Sequence, residues 1–233
     1  MKIIFTGGNG RFGSIFKKKT KLKNVYFPKS KELNILNLNS IKRILKKYKP
    51  KIVIHAAGLS RPMEIHEKKI NESIDKNIIG TSNIVKACSS LNIKVIYLST
   101  NYVYQGKVGN YNETDPVLPY NNYAWSKLGG ECAVQMYKNS LIVRLCMTEK
   151  PFIHKIAFKD LITNFIFHED VVKIFPKILK IKGIINLGGK KNSVYNFAKK
   201  YNKKIKKIYN NKLLNRFPPK PFMNLSKLNK LTK

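Results

Sequence analysis

Apolar positions along this chain switch between two periods. Short apolar runs at residues 2–5, 24–27, 51–55 and 94–98 read as buried strands, the second ended by Pro28. Between them the spacing is helical: Phe12, Ile15 and Phe16 share one side of residues 11–18, and residues 40–48 form an amphipathic stretch closed by Pro50. A single long helix is predicted over about residues 67–91. Further on, amphipathic helices over 169–179 and 193–201 flank a short strand at 183–186, with Val194, Phe197 and Tyr201 on one side of the last helix. Buried strands alternating with helices predict an α/β fold with a parallel, doubly wound sheet of the Rossmann type.

At 233 residues and 43% hydrophobic, the chain has material for one sizeable core with a small appendage. No apolar run approaches the ~20 residues of a spanning helix, and residue 2 already enters the first strand, which points to the cytoplasm. Cys88, Cys132 and Cys146 lie far apart without metal-ligand spacing, so reduced thiols and no metal site are expected. The net charge of +34 raises nucleic-acid binding as a possibility, but only five of the 46 basic residues are arginines. Lysines scattered among Asn and Ile read as solvated faces produced by compositional bias, a pattern still compatible with small polyanions.

Candidate chemistry begins directly behind the first strand. Thr6-Gly7-Gly8-Asn9-Gly10-Arg11-Phe12-Gly13 carries the spacing G-x-x-G-x-x-G. In such a loop one glycine permits the turn, the next lets a pyrophosphate approach the backbone, and the third lets the helix pack on the strand, and the unpaired N–H groups of the helix N-terminus then face the anion. An acid that would bind a ribose 2′-hydroxyl is not found at the end of the second strand; Lys29 and Lys31 follow instead and, with Arg11, favour a 2′-phosphate. Small residues, Ala56-Ala57-Gly58, leave room for a ligand after the third strand, and Ser99-Thr100-Asn101 follows the fourth. Tyr123 and Lys127, four residues apart, share a helix face, and a nearby ammonium lowers a phenol's pKa toward the working range of an acid–base catalyst.

Taken in order, the glycine turn, Ala-Ala-Gly, Asn77-x-x-Gly80-Thr81, Ser99-Thr100 and Tyr123-x-x-x-Lys127 resemble the extended short-chain dehydrogenase/reductases that modify nucleotide sugars. Within that branch, Ser99-Thr100-Asn101-Tyr102-Val103-Tyr104 is similar to the S-T-D-Y-V-F of the dTDP-4-dehydrorhamnose reductase family, and residues 123–131 to its Y-G-x-x-K-x-x-G-E. The likeness covers nearly all of residues 1–145 and continues more weakly through 142–144, 168–171, 183–189 and 225–228.

The resemblance implies an NAD(P)-binding Rossmann domain with catalytic Thr, Tyr and Lys over residues 1–147, and a small substrate-binding cap over 148–233 interleaved with it. It implies that Gly7, Gly10, Arg11, Phe12 and Gly13 shape the pyrophosphate turn, with Asn34 and Ile35 by the adenine and Ala57 and Gly58 along the cofactor. Tyr123 would give a proton to a ketone, Thr100 would hold the same oxygen, and Lys127 would hold the nicotinamide ribose and tune Tyr123. Arg61, Thr100, Asn101 and Met147 are the substrate candidates, with Lys220 a further diphosphate contact.

The activity so implied is NADPH-dependent reduction, with NADH as the other cofactor option, of a nucleotide-linked 4-keto-6-deoxy sugar in cell-surface sugar biosynthesis. The partners expected are a nucleotide-diphosphate sugar and, as an option, a second copy of the chain; nucleic acid and membrane are not among them. Asn101 stands where the family has aspartate, as does Asn34, and Arg144-Leu145-Cys146-Met147 replaces an Arg-Thr-Ser-Trp, so an aromatic platform for the sugar is missing. Thr100-Asn101-Tyr102 also lacks the Thr-Asp-Glu of dehydratases. Two alternatives remain open: a 4-epimerase using the same three residues, and a non-catalytic NADP-binding regulatory subunit like that of methionine adenosyltransferase.

Overall fold

The computed structural model describes residues 1–209 and 217–232. Its first half runs β1 (Ile3–Thr6), α1 (Arg11–Lys19), β2 (Val25–Tyr26), α2 (Leu38–Tyr48) and β3 (Ile52–His55). The long helix expected next is divided into α3 (Ile65–Lys68), α4 (Ile70–Ser73), a π-helical turn (Ile74–Ile79) and α5 (Gly80–Ser89). Lys69, at φ −133° and ψ 62°, leaves helical geometry between the first two pieces. The π turn contains the buried Asn77, whose side chain has partners outside the helix.

Next come β4 (Lys94–Thr100), a 3₁₀ turn (Asn101–Val103), α6 (Asn122–Gln135), β5 (Ser140–Leu145), β6 (Met147–Thr148), β7 (Ile156–Phe158), β8 (Ile162–Thr163), β9 (Ile166–Phe167) and α7 (His168–Ile178). The described chain ends with β10 (Gly183–Leu187), β11 (Asn192–Ser193), α8 (Val194–Lys199), β12 (Lys206–Ile208) and α9 (Ser226–Thr232). Strand β4 runs past the expected residue 98 because Ser99 and Thr100 pair with Arg144 and Leu145 of β5, which fixes Thr100 on the rigid sheet.

Six strands form one parallel sheet in the order β10-β5-β4-β3-β1-β2. The predicted strands at 2–6, 51–55 and 94–98 are indeed neighbours, since β3 lies between β1 and β4. Winding turns one way from β1 to β2 and the other from β3 outward, so a switch point opens between β1 and β3, where such sheets bind ligands.

Two-residue periodicity sorts the strand residues onto two faces. Ile3, Phe5, Ile52, Ile54, Ile96 and Leu98 meet Phe12 and Phe16 of α1 and Phe175 of α7. Ile4, Val53 and Val95 meet Ile41 and Leu45 of α2 and Ile84 of α5. A separate small core, with Phe152, Ala157, Leu161, Val194, Ala198 and Ile205, holds the short pairs β7–β12 and β8–β11 with α8. β10 and α7, both beyond residue 148, belong to the main sheet and its helical layer. Residues near the C-terminus return over the 3₁₀ turn, where Met223 bridges Tyr111.

Candidate active site

The glycine loop is shaped by backbone proximity. Gly7 has φ +77°, and a Cβ there would lie 2.7 Å from Ala57 N, so the loops after β1 and β3 touch backbone to backbone. A Cβ on Gly13 would run into Gly7 O and lie 2.8 Å from Gly8 Cα, which explains why α1 seats so closely. Helix α1 has no side-chain cap at Gly10 and no acid in its first turn, while Lys17, Lys18 and Lys19 occupy its last. Its first N–H groups and the positive end of its dipole therefore face the switch point without a carboxylate from the helix's own first turn. This arrangement fits a dinucleotide pyrophosphate.

A buried polar column ties this loop to the helix that carries Tyr123. The Thr81 hydroxyl donates to Asn77 O at 2.7 Å, so the His55 Nε2–H must donate to Thr81 Oγ1 across 3.1 Å. His55 Nδ1 then accepts from Thr6 Oγ1 at 2.8 Å, and Thr6 accepts the Ala57 N–H. Burial, and then Lys127, push His55 down to about 3, which keeps this ring neutral. Asn77 completes the link: its carboxamide binds the backbone N–H and C=O of Leu59 and donates to Ser126 Oγ at 2.8 Å.

Thr100, Tyr123 and Lys127 converge at the end of β4. Asn121 caps α6 by accepting from Ala124 N, which fixes the start of the helix, and the Tyr123 phenol lies near enough to Thr100 for that side chain to act on its pKa. Lys127 is buried with Nζ 4.2 Å from the centroid of the Tyr97 ring. The electrostatics differ from the sequence expectation. Burial raises the Tyr123 phenol above its ordinary value, opposed by Thr100 and by Arg61 and Arg11. Burial also pushes Lys127 itself down to about 7, with Glu131 acting the other way. The cations that act on Tyr123 are thus Arg11, which opens α1, and Arg61, in the loop after β3, and desolvation outweighs them.

His66, which sequence reasoning passed over, packs its buried ring 5.0 Å from that of Tyr123 and places Nδ1 2.7 Å from Ser73 Oγ. Its only signal was a histidine in a helical stretch. Glu131 was matched as a motif letter; here it forms a buried ion pair with Arg144 at 2.9 Å, and Arg144 also donates to Tyr104 Oη and Glu113 O. This pair fixes α6 against β5.

The other expected site residues scatter. Ile35 lies against Gly80, and its carbonyl accepts from Asn83, beside the α5 end of the polar column. Asn34 turns its carboxamide oxygen to Leu36 N at 3.0 Å. Phe12 corrects one expectation: its ring is buried against Phe5, Phe16 and His168, so only its backbone can face a cofactor. Gly58 packs on Asn77, where a Cβ would lie 2.7 Å from Oδ1.

Arg11 does not join Lys29 and Lys31. It reaches Ser60 Oγ at 3.3 Å and Glu149 at 3.7 Å, across the switch point. An acid does follow β2, but Glu32 is tied down by Tyr26 Oη at 2.6 Å and Lys29 N at 2.8 Å. Arg61 donates to both Glu149 oxygens at 3.3 Å. Asn101 is a strut: its carboxamide nitrogen donates to Pro221 O at 3.0 Å and Thr163 Oγ1 at 3.4 Å, holding the C-terminal return against the sheet. Met147, half-buried in β6, packs on the core below the sheet's edge. Lys220 is exposed, and its N–H binds Gly106 O.

Comparison with known proteins agrees with this geometry. The family model described as the RmlD substrate binding domain matches residues 1–148. Among curated proteins, the beta subunit of methionine adenosyltransferase 2 from Pongo abelii is 28% identical over 142 residues, 57% of this chain and 42% of that protein. A dTDP-4-dehydrorhamnose reductase from Aggregatibacter actinomycetemcomitans is 28% identical over 152 residues, 63% of this chain and 51% of that protein. The chain thus spans about half the length of the curated relatives it matches. The crystal structure of a dTDP-4-dehydrorhamnose reductase from Bacillus anthracis in complex with NADP superposes with a TM-score of 0.87 at 22% identity, covering 99% of this chain and 93% of that one. With a parallel Rossmann sheet, a glycine loop at its switch point and a family match over residues 1–148, the chain belongs to the RmlD substrate binding domain family of extended short-chain dehydrogenase/reductases.

Proposed function

We propose that this protein is an NAD(P)H-dependent reductase of a nucleotide-linked 4-keto-6-deoxy sugar, with residues 1–147 as its cofactor-binding domain and 148–233 as its substrate cap. The observation that carries the reading is the meeting of Thr100, at the end of β4, with Tyr123 and Lys127, which share one face of α6. Merely holding a dinucleotide requires no such cluster. When bound, the nicotinamide cofactor supplies the hydride. Gly7, Gly10 and Gly13 admit its pyrophosphate, Ile35 borders its adenine side, and Lys127 holds its ribose.

The raised pKa of Tyr123 suits the reductive direction, because it keeps the phenol protonated and ready to donate to the substrate oxygen. Thr100, anchored on β4, fixes that oxygen beside the phenol. Arg61, whose guanidinium reaches a carboxylate at 3.3 Å, is in this reading the contact for the sugar nucleotide's diphosphate. NADPH is the preferred cofactor in this reading, since the acid after β2 is already engaged by Tyr26 and Lys29. The test is cofactor oxidation by the purified protein on a panel of 4-keto nucleotide sugars; loss of reduced nicotinamide is expected, and its absence on every sugar contradicts the reading.

A second reading is a non-catalytic regulatory subunit. It is favoured by the match to the methionine adenosyltransferase beta subunit and by Asn101, whose amide nitrogen is engaged by the chain's own tail. Tight NADPH binding without oxidation, together with a stoichiometric co-purifying enzyme, is its signature.

A further inference from the structure

Three loops from the carboxyl ends of three strands meet around one carboxylate. Arg11 opens α1, Arg61 lies in the loop after β3, and Glu149 follows β6. Glu149 receives Arg61 Nη1 on both oxygens at 3.3 Å and lies 3.7 Å from Arg11 Nε. The arrangement has an excess of donors, since two guanidiniums offer five N–H each and a single carboxylate accepts only a few. It also has an excess of charge, two positive against one negative. The arginine side chains are 45% and 34% exposed and the carboxylate 18%, so the cluster is open to solvent on its arginine side. Both arginines also contribute to the electrostatics of Tyr123.

We propose that Arg11 and Arg61 form the seat for a diphosphate group, and that Glu149 occupies this seat in the ligand-free protein and is exchanged for the ligand's phosphates on binding. The ligand class rests on the reading above, while the exchange itself adds a role for Glu149 and for Arg11. A diphosphate carries more charge than a carboxylate and matches paired guanidiniums with several parallel hydrogen bonds, so it displaces the internal anion. Glu149 thereby acts as a competitive gate, weakening every ligand that uses the seat.

The test is calorimetric titration of inorganic pyrophosphate, dTDP, UDP and NADPH into the wild-type protein and the variants Glu149→Gln, Glu149→Ala, Arg61→Gln and Glu149→Gln/Arg61→Gln, each first shown to melt cooperatively. Both Glu149 variants are expected to bind pyrophosphate about tenfold more tightly, and Arg61→Gln about tenfold more weakly. The double variant should lose the gain, because the gain requires the seat. If dTDP and UDP follow pyrophosphate and NADPH does not, the seat serves the sugar nucleotide; the converse assigns it to the cofactor. Unchanged affinity for all four probes in both Glu149 variants overturns the proposal, as does a gain that persists without Arg61, which would be general electrostatics alone. Absent turnover on every keto sugar removes the reductase reading and leaves this exchange standing, whereas unchanged affinities with turnover intact do the reverse.

Discussion

The two sides of the switch point are built from different materials. On the glycine-loop side the surface is backbone: Gly7 and Gly13 exist because Ala57 N and Gly7 O leave no room for a Cβ, and the uncapped end of α1 offers free donors. On the other side stand long side chains, Arg61 and Glu149 from loops and Tyr123 from α6, with the buried Arg144–Glu131 pair steadying that helix. The contrast teaches where each side is vulnerable. A backbone cradle fails when any atom is added, while a side-chain mouth fails when a partner is removed and can be retuned without loss of the fold.

The largest expected effect lies on the side-chain half. Glu131→Gln leaves the buried Arg144 without its counter-ion, and urea unfolding should show a loss of about 3–5 kcal/mol. A loss below about 1 kcal/mol would mean that Tyr104 and Glu113 O suffice for that guanidinium. On the backbone half, Gly13→Ala forces α1 away from the loop and should weaken NADPH binding about 100-fold, or roughly 2.7 kcal/mol, by fluorescence titration.

A smaller effect separates burial from charge at Lys127. Its folded pKa, about 7, is depressed below the ordinary lysine value by burial, so the unfolded chain binds a proton that the folded chain does not throughout the window from there to about 10. Stability therefore rises with pH across that window, by on the order of 1 kcal/mol per unit, and the penalty is fully present below it. Lys127→Met should flatten this rise when wild-type and variant melting are compared at pH 7 and pH 9. An unchanged slope would place the ammonium in a wetter setting. Smallest of all, Gly183→Ala meets no atom within 4 Å and carries only the strain of φ +83°, about 1–2 kcal/mol, with NADPH affinity unchanged.

The same contrast explains what could be read in the sequence. Glycine spacing, strand runs and Tyr-x-x-x-Lys are local, and the parallel doubly wound sheet with its three neighbouring strands follows from them, while the grouping of Thr100 with Tyr123 and Lys127 came from the family resemblance. What stayed hidden is set by tertiary contact. No spacing rule foretold that Arg11 would cross to Glu149, that Asn101 would be held by Pro221 or that the helix after His66 would break at Lys69 and widen around Asn77. Charge was the most misleading signal. A lysine one turn from a tyrosine predicts a lowered phenol, yet burial of both groups raises Tyr123 and lowers Lys127 instead.

The central claim is that Tyr123 is the proton donor of a reductase, and single-turnover kinetics tests it most directly. Protein preloaded with NADPH is mixed with a 4-keto-6-deoxy nucleotide sugar that the wild type reduces, and loss of reduced nicotinamide is followed for wild type and Tyr123→Phe. The rate should fall about 10²–10⁴-fold in the variant while its NADPH dissociation constant stays within about twofold of wild type. Hydride transfer by Tyr123→Phe at the wild-type rate would contradict the claim.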